Sequence, residues 1–488
     1  YAQTIVLMDR VAAALQREGL QPRDVVAISA TTSFAYATVF FGALRAGLAV
    51  APLAPDMLPA NLATMVADAG AKLLFLDRGV AQHLAGVAGR IAVPRVALDD
   101  GEGGQPLSDW LAPEGALPAP VAVQPDWTFS LIYSSGTTGL PKGIAPVVTD
   151  EPITALPRVM AVLCRDMCRM DGHTVYLSPA PLYHAAPLRF CMTAGALGAT
   201  AIVMEKFDPE QALRLIADYR VTVAQFVPTH FVRMLKLPAD TARKYDVSSL
   251  TSVIHAAAPC PVPVKEQMIE WFGPIIYEYY SGSEGIGFCL LNSQEWLEHK
   301  GSVGRAIVGK IQICDEAGEP LPPRTEGVVH FSDGPPLNYH NAPEKVAENT
   351  NKYGWATFGD VGWVDEEGYL YLTDRRSFMI ISGGVNIYPQ EIENLLIMHP
   401  KVADAAVVGA PNEDMGEEVA AVIQPQDWAE AGPELHDELL AYARANLSHV
   451  KTPRRLDFMA ELPRHPNGKL YKRLLRDAYW GKGQTTIV

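Results

Sequence analysis

"IYSSGTTGLPKG", residues 132–143, holds three glycines, four small hydroxyl side chains, one proline and one lysine in twelve positions. It overlaps the end of the apolar run "WTFSLIY", residues 127–133, and so reads as a loop leaving a strand. Glycines accept positive φ and let backbone N–H groups close on an anion, while serine and threonine add donors. Lys142 supplies one fixed positive charge. This inventory suits a polyphosphate. The spacing is not Walker A, because the interval from Gly136 to Lys142 is wrong and Gly143 stands where Ser or Thr should follow the lysine. A plain turn is the competing reading, and six consecutive small residues make a rare one.

The same logic extends along the chain. Before the loop, "DVVAIS", "LAVAPL" and "KLLFLD" read as strands, with "FAYATVFFGALRAG" and "ANLATMVADAG" as helices between them. After it, "TAIVME", "VTVAQFV", "LTSVIHAA" and "IIYEYY" are strands spaced by the helices "PEQALRLIADYR" and "VKEQMIEWFG". Apolar strands separated by amphipathic helices predict parallel sheets covered on both faces. From about Gly301 the texture shifts to short alternating runs such as "GVVHFSD" and "GYLYLTD", which predicts a smaller antiparallel piece. Beyond Arg375 and Arg376 a compact α+β set follows. The expected architecture is α/β: a large N-terminal domain (1–376) of parallel and mixed sheets layered with helices, containing an antiparallel β subdomain at about 301–376. A small α+β domain (377–488) completes it.

Open parallel sheets bind ligands beyond the carboxyl ends of their strands. Residues 134–139 follow "FSLIY", 256–259 follow "TSVIH", and "YYSGSEG" (279–285) ends "PIIYEY". If those strands are neighbours, the three loops meet in one crevice.

Composition sets the outer limits. At 488 residues the chain calls for two or three domains. A net charge of −15 argues against a nucleic-acid partner, so any anion must be gripped locally. The stretch "AYATVFFGAL" is too short for a membrane span. Cys164, Cys168, Cys191, Cys260, Cys289 and Cys314 show no metal spacing and read as reduced cytoplasmic thiols. The chain opens on Tyr1 rather than Met, consistent with residues upstream.

"YSSGTTGLPKG" resembles the phosphate-loop signature of the acyl-adenylate-forming superfamily, which includes acyl- and aryl-CoA synthetases, luciferases and peptide-synthetase adenylation domains. Four further stretches resemble the family's signatures in the family's order: "YYSGSEG", "YGWATFGDVGWVDEEGYLYLTDRR", "IISGGVNIYPQEIE" and "LPRHPNGKLYKR". The resemblance implies an AMP-forming acyl-CoA synthetase using ATP, Mg²⁺ and coenzyme A. It implies that Ser134, Ser135, Gly136, Thr137, Thr138, Lys142 and Ser283 hold phosphates and that Glu284 holds the metal. Tyr280 would stack on adenine against the Ala257–Ala258–Pro259 backbone, and Asp360 and Arg375 would hold the ribose. Lys469 would be the catalytic lysine, Ser377 the hinge that makes the small α+β domain mobile, and Ser382, Gly383 and Gly384 the lining of a coenzyme A channel.

Tyr183 and His184 match an aromatic–histidine pair beside the substrate carboxylate, with His184 in a catalytic role. Val227, Thr229 and Gly282 would join them around the acyl group, while His230 either narrows that pocket or lies at the surface. No aspartate appears in "PLYHAAPLRF" to take an ammonium group, and the small apolar lining suggests a hydrophobic acid, aliphatic or aromatic. This sequence departs from the pattern at Ser377, Ser281 and Ser283, and after Lys142. An acyl-AMP ligase loading a carrier protein, a non-catalytic adenylate-binding regulator and luciferase-type oxidation are the alternatives; a homodimer is left open.

Overall fold

The computed structural model describes residues 1–123, 129–134, 142–145, 157–375, 378–464 and 470–481. Its first sheet has five parallel strands in the order Ala49–Leu53, Val25–Ser29, Ala71–Leu76, Arg95–Ala97, Gln105–Pro106. Side chains alternate across a strand, so each strand feeds two cores. Val26, Ile28, Val50 and Phe75 pack on one face with helices Ala2–Arg17 and Phe34–Arg45, while Ala27, Ala51 and Leu74 face helix Pro59–Asp68. The Ser33 hydroxyl accepts from the Tyr36 amide and starts the second of these helices.

The second sheet has seven strands, ordered Arg305–Val308, Phe288–Leu291, Ile276–Tyr280, Ser252–His255, Val223–Phe226, Val175–Ser178, Thr200–Val203. The last five run parallel and the first two antiparallel. Ala224, Phe226 and Val253 face one core; Tyr176, Val223 and Ile254 face the other. The antiparallel texture expected from Gly301 thus begins earlier, at Phe288, and Arg305–Val308 still belongs to this sheet. A turn carrying Gly285 and Gly287 lets the chain double back beside Ile276–Tyr280 without a crossover helix.

A four-stranded antiparallel sheet follows: Lys310–Cys314, Gly327–Ser332, Ala356–Val364, Leu370–Arg375. The last sheet joins Val385–Ile387, Ile380–Ser382, Gly416–Pro425 and Val402–Asn412, with Arg455–Phe458 alongside Gly416–Pro425. Its own apolar clusters form against helices Pro389–Leu396, Pro433–Asn446 and Lys472–Tyr479. The mixed α/β class expected from the sequence is what the chain adopts. Among the described residues no helix is long and apolar enough to cross a membrane.

One expectation needs correction. The strand feeding the glycine–hydroxyl loop, Ile132–Ser134, does not join the seven-stranded sheet. It pairs antiparallel with Lys142–Ile144, because a return strand only seven residues away satisfies its backbone groups first. Single bridges tie this hairpin to two sheets: Ser130 to Val50 and Ile144 to Tyr339.

Candidate active site

Four parallel strands of the second sheet end on one edge, and four loops leave from it. They carry Tyr183 and His184 after Val175–Ser178, and Val227 and Thr229 after Val223–Phe226. Ala257–Pro259 follows Ser252–His255, and Ser281–Glu284 follows Ile276–Tyr280. The parallel βαβ pattern alone dictates this convergence.

The antiparallel sheet closes over the last of these loops. The Tyr280 hydroxyl donates to Asp360 Oδ2 at 2.6 Å, which joins the two residues expected at the adenine and the ribose. Phe331 stacks with the Tyr280 ring at a centroid distance of 6.3 Å and Phe358 meets it edge to face at 5.7 Å. Asp360 is buried on strand Ala356–Val364, directly opposite Arg375 in the neighbouring strand. Ala257 holds φ +79°, a conformation rare without glycine that costs on the order of 1 kcal/mol. Beneath the loop, buried His255 and Glu278 lie on adjacent strands, and Lys265 pairs with Glu278.

The glutamate loop is equally braced. Tyr339 donates to Glu284 Oε1 at 3.2 Å, and the Ser281 hydroxyl donates to the Gly287 carbonyl at 2.7 Å. Ser281, a departure from the family pattern, therefore ties the two ends of its loop together. A Cβ on Gly282 would stand 2.5 Å from the Phe358 ring, so only glycine lets the loop lie flat on that ring. Because Tyr339 also bridges to Ile144, the hairpin bearing the glycine–hydroxyl loop is joined to the Glu284 loop through one residue. His340 adds a backbone bond, its N–H donating to the Gly143 carbonyl at 2.7 Å.

The acyl-side residues divide. His184 precedes helix Ala185–Ala196, its ring 4.5 Å from that of Tyr183. The Leu182 amide donates to Thr32 Oγ1 at 3.0 Å, anchoring the turn on the first sheet. Tyr183 is only 6% exposed and sits in the core with Tyr36 and Leu188, where burial raises its phenol pKa. Val227 and Thr229 are half-buried at the start of helix Pro228–Leu235. His230 is buried and stacked on Phe207 at 3.7 Å, not at the surface. Burial, with help from Arg233 and Arg464, pulls its pKa down to about 3, so it stays neutral.

Ser382, Gly383 and Gly384 form the turn between Ile380–Ser382 and Val385–Ile387. Both glycines have positive φ, +55° and +80°, as a two-residue hairpin turn requires. The Gly383 N–H donates to the Met415 carbonyl at 2.9 Å, and Ser382 pairs with Gly416. Ser135, Gly136, Thr137, Thr138, Ser377 and Lys469 lie outside the described residues, as do the side chains of Ser134, Lys142 and Arg375.

Sequence reading missed Arg189, Tyr339 and Phe358. Arg189 is half-buried on helix Ala185–Ala196, and its Nη2 donates to the Ser283 carbonyl at 3.5 Å. A lone charge inside "AAPLRFCMTAGA" was its available signal. Tyr339 and Phe358 come from a different sheet, and nothing local in their sequence marks them.

Residues 1–335 match the family described as AMP-binding enzyme, and 391–469 match the AMP-binding enzyme C-terminal domain. The fatty acid–[acyl-carrier-protein] ligase ScoC of Streptomyces coeruleorubidus is 31% identical over 483 residues, 97% of this chain and 90% of that protein. Long-chain-fatty-acid–CoA ligase FadD13 of Mycobacterium tuberculosis is 31% identical over 490 residues, covering 98% and 93%. Feruloyl-CoA synthase of an Amycolatopsis species is 32% identical over 478 residues, covering 97% and 92%. ATP-bound MatB from Rhodopseudomonas palustris superposes with a TM-score of 0.81 at 27% identity, over 98% of this chain and 93% of that one. With the family matched over most of its length, the chain belongs to the AMP-binding enzymes, the superfamily of acyl-adenylate-forming ligases.

Proposed function

We propose that the protein is an AMP-forming acyl-CoA synthetase. It condenses a hydrophobic carboxylic acid with ATP to an acyl-adenylate and pyrophosphate, then exchanges AMP for the thiol of coenzyme A. The observation that carries this reading is the Tyr280–Asp360 hydrogen bond at the mouth of the sheet edge, one loop away from Glu284.

Charge control is the first demand, since a carboxylate and a triphosphate repel each other. Ser134, Ser135, Gly136, Thr137, Thr138 and Lys142 cradle the phosphates, with Ser283 opposite. Tyr280 offers a ring face to adenine, against the backbone at Ala257, Ala258 and Pro259. Asp360 takes the ribose hydroxyls, with Arg375 beside it. Glu284, one carboxylate whose Oε1 is already oriented by Tyr339, fits Mg²⁺, which prefers one or two carboxylates plus substrate phosphates. When bound, the ion neutralises charge on the departing pyrophosphate. His184, beside the acid, orients its carboxylate.

Two domains, 1–376 and 377–488, hinge at Ser377 in this reading. Rotation then exchanges Lys469 for a pantetheine path along Ser382, Gly383 and Gly384. Six free thiols suit a cytoplasmic setting. A second reading, transfer to a carrier protein, is favoured by the similarity to ScoC, which is named as a carrier-protein ligase.

Pyrophosphate release across fatty, aryl and branched acids, each with coenzyme A or with a phosphopantetheinyl carrier, tests both readings. Release with an acid, and a thioester with coenzyme A, is expected. A thioester on the carrier alone would select the second reading, and no release with any acid would end both.

Asp360→Ala removes a buried carboxylate that accepts from Tyr280 and, in this scheme, from the ribose. KM for ATP is expected to rise about ten- to a hundredfold, the scale of a charge-assisted hydrogen bond. Tyr280→Phe keeps the ring and should cost less. Initial rates at varied ATP check both, and an unchanged KM in Asp360→Ala would remove Asp360 from the nucleotide site.

A further inference from the structure

The reading of the substrate as simply hydrophobic leaves Arg189 unexplained. This arginine lies five residues past His184 on helix Ala185–Ala196, about one and a half turns further along. It is half-buried, yet its one hydrogen bond among the described residues is the 3.5 Å contact with the Ser283 carbonyl. It makes no ion pair among the described residues. A guanidinium presents five donors in a rigid fork, so among the described residues most of this fork is unused.

The neighbouring acceptors are held by other partners. Glu284 accepts from Tyr339. The Tyr279 hydroxyl accepts from Gln225 Nε2 at 3.4 Å, and Gln225 Oε1 in turn accepts from Tyr176 at 3.1 Å. Around these polar groups the walls are aromatic: Tyr279 is stacked on Phe288 at 5.0 Å and lies 6.1 Å from Phe190. Burial pulls the Arg189 pKa down, with Tyr279 and Glu284 pushing it back up. Glu284 thus acts on Arg189 only from beyond ion-pair distance, and a half-buried cation without a paired anion is costly unless something else brings one.

We infer that Arg189 selects the substrate: the acid has an apolar body and a second oxygen acceptor, best a second carboxylate, remote from the carboxylate that is activated. This rests on the acyl-adenylate reading above and narrows its substrate class. A bidentate guanidinium–carboxylate pair adds both strength and direction, which one long carbonyl contact does not.

The experiment compares acids matched in skeleton, hexanoate with adipate and benzoate with terephthalate, by pyrophosphate release from ATP. Wild type, Arg189→Met and Arg189→Lys are the proteins compared. Wild type is expected to favour the diacid of at least one pair tenfold or more in kcat/KM. Arg189→Met should shrink that ratio by about ten- to a hundredfold, with Arg189→Lys between. Equal losses for both members of a pair would mean that Arg189 serves the reacting carboxylate, the phosphates or the fold, and would overturn the inference. So would a wild-type preference for the plain acids, which leaves the acyl-adenylate reading standing. No release with any acid would overturn both together.

Discussion

Lys469→Ala is expected to slow acyl-adenylate formation by about 10²–10³-fold, the cost of removing one preorganised charge from a developing anion. Thioester formation from a supplied acyl-adenylate should be spared, because that half-reaction has no carboxylate–triphosphate repulsion to overcome. The described residues on either side of its segment support the proposal. Arg464 and Leu470 form a β-bridge on either side of residues 465–469. The Arg464 guanidinium forks onto Asp404 with both bonds at 2.5 Å, and its Nη1 lies 3.5 Å from Thr229 Oγ1. Arg464 thus abuts the start of helix Pro228–Leu235, just past Val223–Phe226. Single-turnover rates for the two half-reactions provide the measurement. Equal loss in both would remove Lys469 from its assigned role.

The largest stability effect is expected at Lys265, which shares the interior with Glu278. Its side chain is fully buried and pairs with the Glu278 carboxylate, with His255 Nε2 3.5 Å from the same oxygen and the Trp296 ring 4.9 Å away. Burial raises the Glu278 pKa while Lys265 opposes the rise, and burial together with Lys265 keeps His255 neutral. Lys265→Met leaves the carboxylate without its cation, a loss of roughly 3–5 kcal/mol. The apparent Tm should fall by about 3–6 °C.

The sign of the pH dependence follows from the same charge. An acid whose folded pKa lies above its unfolded value costs stability as pH rises through the folded value. The deficit of Lys265→Met should therefore be smaller at pH 5 than at pH 8. Adding Glu278→Leu to Lys265→Met should restore part of the loss, since two apolar groups can replace a buried pair. A single variant as stable as wild type at pH 8 would show that the pair contributes nothing to holding the sheet.

Much of this molecule was legible as sequence. The beat of apolar strands and amphipathic helices is local, and it determined that parallel sheets would form and which chain ends would share an edge. Runs such as "VTVAQFV" and "LTSVIH" pack on both faces, so their pattern admits few other arrangements. The motif loops are legible for a related reason: small residues with hydroxyls suit close approach by an anion wherever they occur.

Other features were decided only in three dimensions. That Ile132–Ser134 would turn back on Lys142–Ile144 rather than join the larger sheet depended on which partner satisfied its backbone first. That Tyr280 would reach Asp360 across eighty positions, and that Tyr339 would bridge the hairpin to Glu284, depended on the antiparallel sheet closing over the edge. Arg189 and Lys265 look alike as single basic residues in helical segments. One is half-open at the site and the other is sealed beneath it, because burial depends on how sheets stack and not on neighbours in the chain.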